Sequence, residues 1–368
     1  MEHNGPVPAQ PEITAPADLA PTATPPRQRW VGTLRPYPFE IVAFASMALA
    51  IAFLRFYGLR TDWQTVRYII LPAVRMLPQA LLAGVALHVL VRLLARFPVR
   101  GYLRELVRPG WWVSWLRLWL AAVVMTYGYF WLKVVIPLVN PRLWDDALWR
   151  LDSWLHFGVS PSVFVPSLLA GTPLVALLDR WYWLWVPTIF YTLSLWSAGL
   201  DRRLARRFLL SCVLLWTLGS WVYLSIPALG PVFVEPQTFA AVRDDMPLVR
   251  AGQQALAENY QVMLDGRRSG ELKRFKPTRG VAAMPSLHVG AHFLFFLWAR
   301  RRARWLALPF ALATVFTFAG SLLSGYHYAI DGYAGMLLAW LCYRIAVWRE
   351  KGEPVEDPVF PPVGEGAG

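Results

Sequence analysis

Cysteine is nearly absent from this chain, which has two, Cys212 and Cys342, in 368 residues. Both fall inside apolar runs, which argues against a disulfide framework or a cysteine metal site. Charge is scarce too: Asp, Glu, Lys and Arg make up 16% of residues, well below the roughly 25% of a soluble domain. Acidic residues are the rarer sign, 23 against 36 basic, for a net charge of +13. No apolar signal-peptide core occurs in the first 35 residues. Cleavage is therefore not expected, and the first apolar run is expected to act as the insertion signal. The composition is otherwise apolar, with 56% hydrophobic residues and 20 tryptophans. It excludes an ordinary soluble domain and predicts a membrane protein.

A bilayer crossing needs about 20 apolar residues. Eight stretches approach that length: Phe39–Phe56, Ile69–Leu94, Val113–Leu138, Trp181–Leu200, Phe208–Ile226, Leu287–Trp298, Leu306–Leu323 and Tyr328–Val347. The expected fold is an all-α integral membrane protein of about eight transmembrane helices. The sixth stretch is short and reaches length only if 281–286 is included.

Arginines mark the orientation, because short cytosolic loops retain Lys and Arg. Arg27, Arg29 and Arg35 precede the first span; Arg92, Arg96, Arg100, Arg104 and Arg108 separate the second from the third; Arg202, Arg203, Arg206 and Arg207 follow the fourth. Arg300, Arg301, Arg302 and Arg304 join the sixth to the seventh, and Arg344, Arg349 and Lys351 follow the last. With eight crossings every cluster lies on one side, which puts both termini in the cytosol. Short clusters beside lipid also account for the sequence pI near 10.1 without a nucleic-acid partner, which would call for a basic stripe on a soluble face.

Residues 1–35 and 351–368 are rich in Pro without apolar periodicity and are expected to be disordered tails. Between them lie two of the expected spans over 36–110 and six over 111–350, which the family resemblance given below implies are two additional helices and a six-helix catalytic domain. Pro141 to Gly158 reads as an interfacial helix, with Trp144, Leu148, Leu151 and Leu155 on one face and Asp145, Asp146, Arg150 and Asp152 on the other. The proline-rich segment that follows predicts a re-entrant or surface-lying turn. Residues 227–284 form the long outer loop, a cap with a helical beat from Leu248 to Leu264.

Two short motifs carry chemistry. PSLH ends at His288 and opens the sixth span; HYAID begins at His327 and opens the eighth. His327 and Asp331 are four apart, so on a helix the carboxylate is placed to accept the ring N–H and fix the tautomer. A carboxylate at a membrane helix centre costs about 2.5 to 3.5 kcal/mol, less near the end, which implies a reason for keeping it. The topology brings both motifs to one depth. Two imidazoles and an acid then suit covalent catalysis, one ring attacking and the other protonating the leaving group. Lys273, Arg274, Lys276 and Arg279 stand just before PSLH, on the side where cytosolic retention does not explain them. Cations there point to a phosphorus electrophile, with Ser286 and helix-start N–H groups as further donors to its oxygens.

PSLH followed by HYAID resembles the type-2 phosphatidic acid phosphatase superfamily, and within it the branch of the inositol phosphorylceramide synthases. The family motifs are KxxxxxxRP, PSGH and SRxxxxxHxxxD. The resemblance implies a six-helix core, His327 as the nucleophile forming a phosphohistidine, Asp331 as its orienting partner, His288 as general acid and Ser286 as a phosphate ligand. It implies a phospholipid or lipid-phosphate substrate and calls for no metal and no cofactor. Three positions depart from the motifs. Leu287 replaces glycine, as in the synthase-like branch; Gly320 and Ser321 replace the SR pair; and Lys273 and Arg279 are six apart where the family has seven, with Gly280 in place of proline. Another cation must then hold the phosphate, with Arg279 and Lys276 first and Lys273 behind them.

His288 and His292 are also spaced to share a metal with Asp331. No HExxH-type glutamate accompanies them, and His292 reads as a helix-packing residue. His88, among apolar neighbours in the second span, reads as structural. Trp111, Trp112, Trp181 and Trp183 read as interface anchors. The rival function is a non-catalytic transporter or lipid-binding protein with a buried His/Asp relay. It predicts internal repeats, which the sequence does not display.

Overall fold

The computed structural model describes residues 35–59, 63–271 and 275–348. Sixteen α-helices and no strands occur among these described residues. Four open the chain: α1 (Pro38–Phe56), α2 (Trp63–Leu94), α3 (Val99–Leu106) and α4 (Pro109–Val134). Six follow: α5 (Ile136–Val139), α6 (Asp145–Leu155), α7 (Pro161–Leu169), α8 (Pro173–Trp183), α9 (Trp185–Ala198) and α10 (Arg202–Ser225). The outer segment adds α11 (Pro231–Val234), α12 (Ala240–Arg243) and α13 (Pro247–Ser269), before α14 (Leu287–Arg302), α15 (Ala307–Leu323) and α16 (Ala329–Trp348).

Among the described residues, five helical stretches are long and apolar enough to cross a bilayer: Pro38–Phe56, Ile70–Leu94, Arg202–Ser225, Arg304–Leu323 and Ala329–Trp348. The chain is an integral membrane protein. The other three expected crossings take different forms. Helix α4 has the length, but its tryptophans, tyrosines, Arg117 and Lys133 lower its mean hydropathy. Helix α14 has 16 residues, about 24 Å at 1.5 Å per residue. The expected single span at Trp181–Leu200 is instead α8 and α9, which begin earlier and break at Leu184. Pro187 has no N–H to give the Trp183 carbonyl four residues back. Pro137 acts likewise on the carbonyl of Lys133 and ends α4 at Val134, short of the expected Leu138.

Helices α4, α10, α14 and α16 share the main core, where Trp119, Phe208, Leu215, Phe295 and Trp298 are buried. At one end of this bundle, Arg117 and Arg206 lie 4.3 and 4.7 Å from the Tyr37 ring centroid. Arg117 also donates from Nε to Glu40 at 2.6 Å, joining α1 to α4. Arg202 covers Trp111 at 4.6 Å. Trp111 is thus buried in the protein, where an interface anchor was expected.

Helix α6 turns part of its acidic face into the protein, where the sequence pattern puts a polar surface. Asp145, Leu148 and Asp152 are buried, whereas Leu151, Leu155 and Trp154 are exposed. Backbone solvation explains the buried carboxylates. Asp145 accepts from the Leu229 and Gly230 N–H groups and from the Tyr328 hydroxyl; Asp152 accepts from Ile330 N–H and the Ser160 hydroxyl. Carboxylates that receive several donors are tolerable inside. The proline-rich stretch expected as a turn is α7 and α8, each with a proline in its first turn. Asp179 of α8 accepts from Leu248 N–H and Val249 N–H at 3.2 and 2.8 Å. It therefore caps α13, whose own N-cap residue, Met246, makes no side-chain cap.

Candidate active site

The two motifs are drawn together by main chain first. Residues 281–286 run between the loop at Ala228 and the start of α16: Ala283 N–H donates to the Ala228 carbonyl at 2.9 Å and Ser286 N–H to the Asp331 carbonyl at 2.8 Å. Ser286 then caps α14, its hydroxyl oxygen accepting Val289 N–H at 3.5 Å. One turn on, Gly290 faces Gly335 of α16. A Cβ on Gly290 would come within 2.7 Å of the Gly335 carbonyl oxygen, and one on Gly335 would strike the Ser286 carbonyl. Two glycines allow the helix axes this approach, and the distance sets the spacing of the histidines above it.

His327 Nδ1 donates to the Ala283 carbonyl at 2.8 Å. A carbonyl only accepts, so it holds the proton on Nδ1 and leaves a lone pair on Nε2. The Asp331 carboxylate, expected as the acceptor, lies at 3.5 Å from Nδ1 and accepts the Tyr328 N–H at 2.9 Å. The nearer orienting group is therefore a main-chain carbonyl, with the buried Asp331 carboxyl group behind it. On the other side, Nε2 of His327 is 3.3 Å from Nδ1 of His288. The same His288 nitrogen is 2.9 Å from the Tyr182 hydroxyl, whose ring stacks on Tyr326 at 5.4 Å between centroids.

These rings open on a cavity of about 270 Å³ lined also by Lys133 and Arg279. Lys133 stands in the last turn of α4, where helix carbonyls favour a cation, with Nζ 5.4 Å from the Tyr223 centroid and 5.7 Å from that of Tyr129. Arg279 arrives on a loop clamped by Asn259 of α13. The Asn259 side chain donates to the Arg279 carbonyl at 3.0 Å and accepts Lys276 N–H at 2.7 Å. Gly280 passes against the end of α4, where a Cβ would lie 2.8 Å from the Lys133 carbonyl carbon. That proximity accounts for glycine at a position where the family motif has proline. Burial raises the Tyr326 phenol above its ordinary value, against the opposing charge of Arg279, so it stays a neutral hydroxyl.

The structure thus brings together His288, His327, Asp331 and Arg279 from the predicted set. Ser286 is fully buried as a helix cap and does not line the cavity. Lys276 is exposed and likewise outside the lining; Lys273 and Arg274 lie outside the described residues. Lys133 and Tyr182 were not singled out from the sequence. A lone lysine in the run GYFWLKVV was a usable signal, since an ammonium inside an apolar span is costly; Tyr182 carried none. Trp183 lines the cavity instead of serving only as an anchor. His292 lies a turn below His288, with Nδ1 2.9 Å from the His288 carbonyl. His88 is buried, its Nε2 at 2.9 Å from the Leu195 carbonyl. Among the described residues, no group of three or more His, Cys, Asp or Glu is placed to hold a metal ion.

No curated protein and no solved structure matches the chain significantly. Residues 146–345 match the PAP2 superfamily, a stretch that begins in α6, ends in α16 and leaves α1 to α5 outside. Both histidine motifs lie inside it, and membership supports a phosphatase- or phosphotransferase-type function. Matched over more than half its length, the chain belongs to the PAP2 superfamily.

Proposed function

We propose that this protein is an integral-membrane phosphoryl transferase acting on a lipid phosphate or phospholipid headgroup through a phosphohistidine on His327. The observation that carries the reading is the facing pair, His288 Nδ1 and His327 Nε2, in a cavity also lined by Lys133 and Arg279. In the first step the Nε2 lone pair forms a bond to phosphorus, the phosphorus–oxygen ester bond breaks, and the leaving alkoxide takes a proton from His288. In the second, His288 takes a proton from the acceptor, whose oxygen attacks phosphorus as the P–N bond breaks. Transfer is in line, so substrate has to part the two rings. The Tyr182 hydroxyl then remains as a partner for His288. Lys133 and Arg279 offset charge on the phosphoryl oxygens.

The acceptor is water or an alcohol, and both outcomes use the same residues. Leu287 at the motif's third position resembles the inositol phosphorylceramide synthase branch, which favours an alcohol. The arginine clusters support eight crossings with both termini cytosolic and the site at the outer face of a plasma membrane of bacterial type.

Purified protein is incubated with phosphorus-labelled lipid phosphate, with and without acceptor alcohols, and quenched. An acid-labile, base-stable phosphoprotein is expected in wild type and not in His327→Ala. Normal turnover by His327→Ala would overturn the reading.

A further inference from the structure

A second cavity, of about 230 Å³, lies in the bundle next to the histidine pocket. The two share Tyr129, Phe130 and Thr278 as lining residues. Away from this shared wall the lining is apolar, with Met76, Met125, Ile189, Leu193, Cys212 and Phe295. Thr126, also in the wall, has its hydroxyl engaged by the Ala122 carbonyl at 2.7 Å. Interiors normally fill such space, because atoms lining a void lose dispersion contacts. An apolar chamber that shares a wall with a cationic pocket matches a molecule with an anionic end and a hydrocarbon end.

We infer that this chamber receives a single hydrocarbon chain of the substrate while its phosphate stands between His288 and His327. The proposal rests on the phosphoryl-transfer reading and adds to it the place where the lipid's chain lies. It also gives α2, one of the added helices, a role. Pro72 and Met76 come from α2 and Met125 from α4, both outside the matched family segment, so helices beyond that segment complete a chamber whose other wall lies within it. In a bilayer, moving a chain from lipid to protein gains no hydrophobic free energy. The chamber therefore selects by shape and length.

Two measurements test this. Wild-type protein in lipid nanodiscs is irradiated with an n-decyl phosphonate carrying a terminal diazirine, and adducts are mapped by mass spectrometry. Adducts are expected on Met76, Leu193 or Cys212. Adducts confined to the exposed side chains of Leu82, Leu116 and Leu120 would overturn the proposal. In the second arm, consumption of butyl and decyl phosphate is compared in wild type and in Ala122→Phe, which fills the chamber from α4. The decyl-to-butyl ratio of kcat/KM is expected to fall at least tenfold, and an unchanged ratio also overturns the proposal. If wild type consumes neither ester, the phosphoryl-transfer reading fails, while the adduct map, which needs no variant, still decides whether a chain occupies the chamber.

Discussion

Nδ1 of His288 stands 3.3 Å from Nε2 of His327, although 39 residues and two helices separate them in the chain. In the proposed reaction the pair divides the work of nucleophile and acid, and that division predicts unequal rescue. With an alkyl phosphate, His327→Ala and His288→Ala are both expected to lose at least about a thousandfold in kcat/KM, the range for a covalent or acid catalyst. A p-nitrophenyl ester needs little protonation as it leaves. It should restore much of the phosphorylation step in His288→Ala and none in His327→Ala. Equal rescue of both would remove the assigned roles.

Lys133 lines the cavity as a cation that the sequence motifs do not contain. Loss of one charge-assisted contact to a phosphoryl oxygen costs about 1.5 to 3 kcal/mol, or about ten- to a hundredfold in rate. Lys133→Gln is expected to lower kcat/KM by that factor without lowering the melting temperature, and Lys133→Arg by less. Steady-state kinetics beside a thermal unfolding scan would show an unaffected kcat/KM if Lys133 only packs on Tyr129 and Tyr223.

Asp179 holds the start of α13 through Leu248 and Val249. Asp179→Ala leaves both N–H groups without that acceptor and should cost about 1 to 3 kcal/mol, locally. Hydrogen exchange is expected to quicken over 247–269 while α14 and α16 keep their protection, and KM should rise because the Asn259 clamp on Arg279 loosens. Uniform exchange across the chain would contradict a local role.

Gly335→Ala tests the close crossing of α14 and α16. Overpacking of this kind costs about 1 to 3 kcal/mol and should also separate the histidines, so activity is expected to fall further than the melting temperature implies. Gly101→Ala in α3 is the matched control, since a Cβ there meets nothing within 4 Å and gains helix propensity. A Gly335→Ala protein as active and as stable as wild type would show that the crossing tolerates a methyl group.

The sequence made the two histidine motifs and most helices legible because helical spacing and apolar runs are local properties. The breaks at Leu184 and Val135 were also within reach, since Pro187 and Pro137 mark them. What could not be read was contact across space. Asp145 and Asp152 look like a solvent face until the N–H groups of Leu229, Gly230 and Ile330 are seen to need acceptors. Ser286 looks like a phosphate ligand until it is found capping its own helix. Tyr182 belongs to the site only because α8 lies against α15 and beneath α13, a packing that no local pattern encodes.

Leu287 is the residue that most visibly departs from the family motif, and its surroundings explain how the fold absorbs it. A Cβ on Gly219 of α10 would meet the Leu287 side chain at 2.6 Å, so the isobutyl group occupies a notch left by the missing methyl. The two positions therefore behave as lock and key by volume. Enlarging Gly219 alone should jam the helix pair, and shrinking Leu287 alone should leave a hole. Exchanging bulk between them, Leu287→Gly with Gly219→Leu, should recover much of what either change loses, converting this chain to the glycine-bearing form of the motif without rebuilding the bundle.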